Sequence, residues 1–218
     1  MANVGAKSQC AGRRTDRTTP VNDTSPALLA HGTGTPSDWV ERFLPGVVEG
    51  GRVLDLACGA GRHLRLARRL GHPVTGLDRD VSGLGDLTGE ADVEIVAHDL
   101  EREGGLVLPW GERRFAGVIV TNYLHRPLFP VIRDLVADDG VLVWETFARG
   151  QGRHGKPSNP AFLLEPNELL SPDLVGGLVV VAFEHGESIN AAGSPRIVQR
   201  ICAVGPRHLW VETAPRRL

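Results

Sequence analysis

Cysteine is scarce in this 218-residue chain, and the three present, Cys10, Cys58 and Cys202, are odd in number and far apart. Neither a disulfide framework nor a CxxC-type zinc site can be built from them, and the reducing cytoplasm is the expected compartment. The eight histidines include no HxxxH or HExxH spacing, so no metal is expected. Long apolar runs are missing too. The most apolar stretch, residues 174–183, contains Gly176 and Gly177 and falls well short of the roughly 20 apolar residues a membrane-crossing helix needs, so no membrane partner is expected. Neither charge is in excess: 24 Lys and Arg against 26 Asp and Glu leave a formal net charge of -2. That balance excludes the basic footprint of a dedicated nucleic-acid binder.

What remains is an ordinary globular composition, 41% hydrophobic and 23% charged, long enough for one domain with a full core. Residues 1–26 carry Lys7, Arg13, Arg14 and Arg17 but almost no large apolar side chains. They cannot offset the entropy of chain ordering and are predicted to be a disordered tail, without the apolar run of about 7 to 15 residues that a secretory leader requires. Residues 27–218 are assigned to the folded domain.

After Gly50 and Gly51, residues 52–58 form a short β-rich apolar run that enters Gly59-Ala60-Gly61. Residues 62–70 then place Leu64, Ala67 and Leu70 at helical spacing, and Gly71 follows Arg68-Arg69 as a stop signal. A second strand over residues 72–78 ends in Asp78. This strand-loop-helix-strand frame makes a nucleoside pocket. Glycines let the backbone approach a ligand closely, and an acid at the tip of the second strand accepts hydrogen bonds from both ribose hydroxyls. A dinucleotide is disfavoured because Leu64 stands where its fingerprint wants a third glycine, and the Gly-Lys-Ser/Thr phosphate loop is absent.

Residues 55–62, Asp-Leu-Ala-Cys-Gly-Ala-Gly-Arg, resemble the first motif of class I S-adenosylmethionine (SAM)-dependent methyltransferases. Residues 76–80, Gly-Leu-Asp-Arg-Asp, resemble the ribose-binding second motif of that family, and further motifs follow in order. Residues 92–97 alternate as a third strand and end at His98-Asp99-Leu100-Glu101, similar to the family's adenine-binding corner. Leu106, Pro109 and Trp110, with residues 115–120, look like its Leu-Pro-Phe and Phe-Asp-x-Val elements, although Ala116 replaces the usual acid. The fourth strand runs out into residues 121–126, at the carboxyl edge where doubly wound sheets hold their ligands. Pro127 opens a helix with Leu128, Ile132, Leu135 and Val136 on one face, and Asp138-Asp139-Gly140 is predicted to turn the chain into a fifth strand at 141–147. Residues 177–184 and 196–204 supply two more strands.

The resemblance spans residues 36–205. It implies an α/β, Rossmann-like three-layer sandwich whose seven-stranded, mostly parallel sheet ends in a C-terminal antiparallel hairpin. Residues 123–127 and the loop 148–160 are similar to bacterial small-molecule methyltransferases loosely akin to the tellurite-resistance enzymes.

That resemblance implies SAM as cofactor, held by Asp55, Ala57, Cys58, Gly59, Gly61, Asp78, Arg79, Asp99, Leu100 and Asn122. Asp55 belongs near the cationic methionyl end, the alternative being a loop-capping role, and Cys58 is a small wall residue with no pattern of a nucleophile around it. The implied reaction is methyl transfer to a small-molecule acceptor by in-line displacement. His125 is the candidate general base, against the alternative of a structural hydrogen-bonding histidine. Tyr123, Arg126, Arg149, Arg153 and Lys156 are candidate acceptor contacts, the four cations gathering round an anion, against the alternative of a solvated charged loop. Asn122-Tyr123 lacks the two prolines of the Asn-Pro-Pro-Tyr motif, so methylation of a nucleobase or an amide is not expected. Trp39, Phe43 and Leu44, after a helix start at Ser37, either pack on the sheet or form a lid. The rival to an enzyme is a SAM-binding or sensing protein that does not methylate.

Overall fold

The structure, a computed structural model, describes residues 34–102, 108 and 110–213. The tail expected over residues 1–26 and the Leu106 and Pro109 positions lie outside the described residues.

The chain enters through α1 (Asp38–Phe43), whose start is fixed by Ser37: its Oγ accepts from the Trp39 amide at 3.2 Å, satisfying one of the free amides of the first turn. The elements that follow are β1 (Val53–Leu56), α2 (Arg62–Arg69), β2 (Val74–Asp78), β3 (Val93–Ala97), β4 (Phe115–Thr121), α3 (Phe129–Asp134), β5 (Val136–Phe147), α4 (Pro172–Val175), β6 (Val179–Ile189), β7 (Pro195–Val204) and α5 (Trp210–Thr213). The strands form one sheet in the order β3-β2-β1-β4-β5-β7-β6. β1 through β5 pair parallel, while β7 runs antiparallel between β5 and β6.

Central strands of a parallel sheet are covered on both faces and read as unbroken apolar runs. β1 obeys this rule, all four of its residues being buried, which is why Val-Leu-Asp-Leu carries a carboxylate into the interior. Two apolar clusters line the two faces. One gathers α1 and α2 through Trp39, Phe43, Leu64 and Ala67 over Val53 and Val143. The other gathers α3 and the β4 exit through Phe129, Ile132 and Leu124 over Leu54 and Trp144. These are the three layers expected from sequence, with most helices only a turn or two long.

One expectation needs correction. Residues 138–140 do not form a turn between helix and strand: β5 begins at Val136, and its pairing with β4 shifts register between Phe115 and Gly117. Such an irregularity absorbs the extra residues that looked like a turn. Of the two alternatives for Trp39, Phe43 and Leu44, packing holds: all three are core. Trp39 is 1% exposed, its ring meets Phe43 edge-on with centroids 4.6 Å apart, and its Nε1 donates to the Ile201 carbonyl at 3.1 Å. Trp39→Ala is expected to lower unfolding free energy by about 3–5 kcal/mol, measured by urea denaturation, because it leaves both a cavity and an unpaired carbonyl.

Candidate functional site

The site forms where neighbouring strands part. β1 feeds α2 on one face of the sheet and β4 feeds α3 on the other, so a crevice opens between their carboxyl ends. Both strands end in a residue held left-handed, Ala57 (φ 57°) and Asn122 (φ 55°). Non-glycine residues enter that region at a cost of about 1 kcal/mol or more, and such strain concentrates at binding sites. Gly59 (φ 53°) and Gly61 (φ 76°) complete the elbow. A Cβ on Gly59 would meet nothing within 4 Å, whereas one on Gly61 would come within 2.6 Å of the Leu84 side chain. Gly59 thus presents bare backbone to open space, and Gly61 lets α2 start close to its neighbours.

A cavity of about 820 Å3 occupies this crevice. Of the residues singled out from sequence, Ala57, Cys58, Gly59, Asp78, Arg79, Asp99, Leu100, Asn122 and Tyr123 line it. Asp55 lies beneath them, 1% exposed, and Gly61 is buried at the start of α2. Among the residues that sequence reasoning did not assign to the site, Ala60, Arg62, His98, Glu101, Thr121 and Phe162 also face the cavity. All but Phe162 lie inside the segments singled out from sequence, at 55–62, 98–101 and 121–126, without having been given a role. Phe162 carries no such signal.

The acidic tips differ in state. Asp78 is half-buried; its Oδ2 accepts from the Gly59 amide at 2.8 Å and its Oδ1 from the Asp80 amide at 3.0 Å, so it ties the glycine elbow to the second strand. A carboxylate has about four lone-pair directions, which leaves capacity for further donors. Asp55 is the opposite case: neither oxygen makes a well-formed hydrogen bond among the described residues, the Leu64 amide of α2 being a weak donor towards it. Burial pushes its pKa up to about 8, with Arg62 opposing and Asp78 reinforcing the rise. A buried carboxylate with no well-formed partner beneath a glycine elbow is poised for a cationic ligand. The Cys58 thiol is likewise pushed well above its ordinary range, first by burial and then by the Asp55 charge, so it is no nucleophile. Burial, with the Glu101 charge beside it, raises the Tyr123 phenol as well.

Behind the cavity lies a buried polar floor. Glu145, on β5 opposite Thr121, is fully buried and pairs with Arg196 at 2.9 Å and Arg200 at 3.5 Å, and it accepts from Ser37 Oγ at 3.1 Å. His63 is held neutral by burial, its pKa near 3; its Nε2 accepts from the Ser37 amide at 3.1 Å. Trp144 Nε1 donates to the Tyr123 carbonyl at 3.3 Å and steadies the β4 exit. These bonds anchor the elements whose ends form the crevice.

The expected base and cations are not in the crevice. His125 precedes the short 3-10 turn Arg126–Leu128 without a side-chain cap bond, and it does not line the cavity, although Asn122 and Tyr123 just before it do. Arg126 is consumed by Glu168 and by two backbone carbonyls, and Arg149 pairs with Glu165. Arg153 bonds the Gly150 carbonyl, and Lys156 is exposed in the same loop. That loop docks on the start of β7, where Gln151 Oε1 accepts from the Ile197 amide at 2.8 Å. Among the described residues no cluster of three or more His, Cys, Asp or Glu side chains could hold a metal ion, and no helix is long and apolar enough to cross a membrane.

Strand order, the reversed last hairpin and the crevice between β1 and β4 define the fold of class I SAM-dependent methyltransferases. Solved structures similar to the chain include TehB from Haemophilus influenzae, with a TM-score of 0.56 and 17% identity over 77% of this chain and 61% of TehB. They also include a SAM-dependent methyltransferase from Methanosarcina mazei (TM-score 0.55, 16% identity, 79% and 99% covered) and the [4+2]-cyclase SpnF (0.56, 15%, 77% and 78%). The chain thus spans about three-fifths of TehB. No protein-family model and no curated protein matches the sequence.

Proposed function

We propose that the protein is a SAM-dependent methyltransferase acting on a small-molecule acceptor. The observation that carries this reading is the meeting, at one crevice, of the glycine elbow and the acids Asp78 and Asp99, with the Asp55 carboxylate buried behind them. The residues present fit the cofactor. Asp78 would accept from the ribose hydroxyls, Asp99 from the adenine amino group, and the Leu100 side chain would flank the base. Asp55 would offset the positive charge of the methionyl portion. When bound, SAM supplies an activated methyl group that passes to an acceptor lone pair in line with the departing sulfur.

The chain's own contribution is then alignment and exclusion of water, which is where most of the barrier lowering in such a reaction arises. No general base is assigned: His125 stands off the cavity, and Tyr123, its phenol raised, would serve as a neutral hydrogen-bonding group near the β4 exit. An acceptor with a ready lone pair, such as an amine or a thiol ionised in solution, suits this arrangement better than an alcohol. The side chains of the charged loop at 149–156 do not line the cavity, and its arginines have protein partners.

The fold is shared with SpnF, named as a cyclase, so fold alone does not fix the chemistry. A SAM-binding protein that does not methylate is therefore the second reading. Calorimetric titration of the full chain with SAM and with S-adenosylhomocysteine (SAH) tests the cofactor, with saturable one-site binding expected. Release of SAH from SAM in the presence of amine and thiol acceptors separates the enzyme from the sensor. Absence of saturable binding would overturn both readings.

A further inference from the structure

Phe162 belongs to the 3-10 turn Pro160–Phe162 and, among the described residues, is the cavity-lining side chain that comes from beyond β5. The sheet order sets β2 and β3 on one side of β1 and sets β4 and β5 on the other, so Phe162 closes the half of the crevice opposite the ribose and adenine acids. Its ring is 51% exposed, yet its backbone is pinned on both sides by one guanidinium. Arg126 Nη1 donates to the Ala161 carbonyl at 2.8 Å and Nη2 to the Leu163 carbonyl at 2.9 Å, while Nε and Nη2 grip Glu168 at 2.5 and 2.9 Å. Glu168 Oε2 also accepts from the Glu165 amide at 2.7 Å, and Leu163 and Leu164 on the far side are buried. Charge-assisted, bidentate bonds of this kind are the strong ones. A residue that served packing would be covered, and one in a solvated loop would not need both neighbouring carbonyls fixed.

Resting on the methyltransferase reading, we propose that Phe162 selects the acceptor, which carries a flat apolar body, and that Arg126 is the residue that positions it. An aromatic face left open at a rigid place rewards an apolar or aromatic partner.

The test titrates the full chain loaded with SAH, by calorimetry, with 2-phenylethylamine and 2-phenylethanethiol against ethylamine and ethanethiol. The phenyl probes are expected to bind about tenfold or more tightly than the ethyl ones, as burying a ring warrants. Phe162→Ala removes that preference, Phe162→Leu keeps part of it, and SAH affinity stays within about twofold in both. Arg126→Lys keeps a cation for Glu168 but cannot tie both carbonyls, so it weakens the phenyl probes while SAH binding holds. The proposal is overturned if wild type shows no preference for phenyl, or if Phe162→Ala retains it. An Arg126→Lys variant that binds like wild type removes the positioning role. If SAH itself fails to bind, the cofactor reading falls, and the same probes on the unloaded chain still decide Phe162. Phe162 is exposed, so its variants fold whatever becomes of Arg126.

Discussion

Asp78→Ala is expected to weaken SAH binding by about 100-fold or more while leaving the unfolding midpoint within a few degrees of wild type. Hydrogen bonds to a charged group contribute about 1.5–3 kcal/mol each, and two ribose hydroxyls would share this carboxylate. The substitution also frees the Gly59 amide, bonded at 2.8 Å, so the elbow loses its tether at the same time. Stability changes little because the bonds that Asp78 makes are solvent-exposed. Asp78→Asn keeps one acceptor for Gly59 and should fall between the two. Calorimetry gives the affinity and a thermal melt gives the control; an Asp78→Ala variant that binds SAH normally would remove the ribose assignment.

Asp55 makes the second large effect, and it is one of pH. Its pKa stands near 8 in the folded chain against 3.8 for an ordinary aspartate. Between those values the folded state holds a proton that the unfolded state has lost. The Asp55 contribution to stability is therefore fully present below about pH 4 and is lost as pH rises through 8. Asp55→Asn should flatten this part of the stability profile and leave the ligand-free protein at least as stable at pH 8.5. A cationic ligand needs the ionised form, so SAM affinity should rise by up to about tenfold per pH unit between pH 6 and 7.5, below the range where the ligand's own amino group titrates. In Asp55→Asn the slope should disappear and affinity at pH 7.5 should drop about tenfold or more. Equal slopes in the two proteins would show that Asp55 does not meet the ligand's charge.

The first half of the site was legible because its signals are local. The apolar run into Gly59 and Gly61, the helical spacing after it and the acid at Asp78 lie within a single stretch of chain, and each element dictates the next. The acceptor side was not. Arg126 and Arg149 read as free cations because the carboxylates that engage them, Glu168 and Glu165, lie 42 and 16 residues away, and sequence carries no mark of such a pairing. His125 sat at the right strand exit, but the cavity wall ends at Tyr123, two residues earlier, and the chain passes directly into the 3-10 turn at Arg126. Residues 138–140 have turn chemistry and still lie in β5, since register with β4 decided the matter. Trp39 and Phe43 carried enough apolar surface for either packing or covering, and only the carbonyl of Ile201 distinguished the two.

The sheet is completed out of order. β7, the last strand made, lies between β5 and β6, so the backbone edge of β5 waits for a partner until roughly 57 further residues have followed it. At synthesis rates of about 5–20 residues per second, that interval lasts several seconds. A nascent chain thus carries a long strand, bare along one edge and bearing Val143 and Trp144 within it, and that edge is open to pairing with a neighbouring copy. Slower synthesis of the stretch that follows β5 should therefore raise the insoluble fraction.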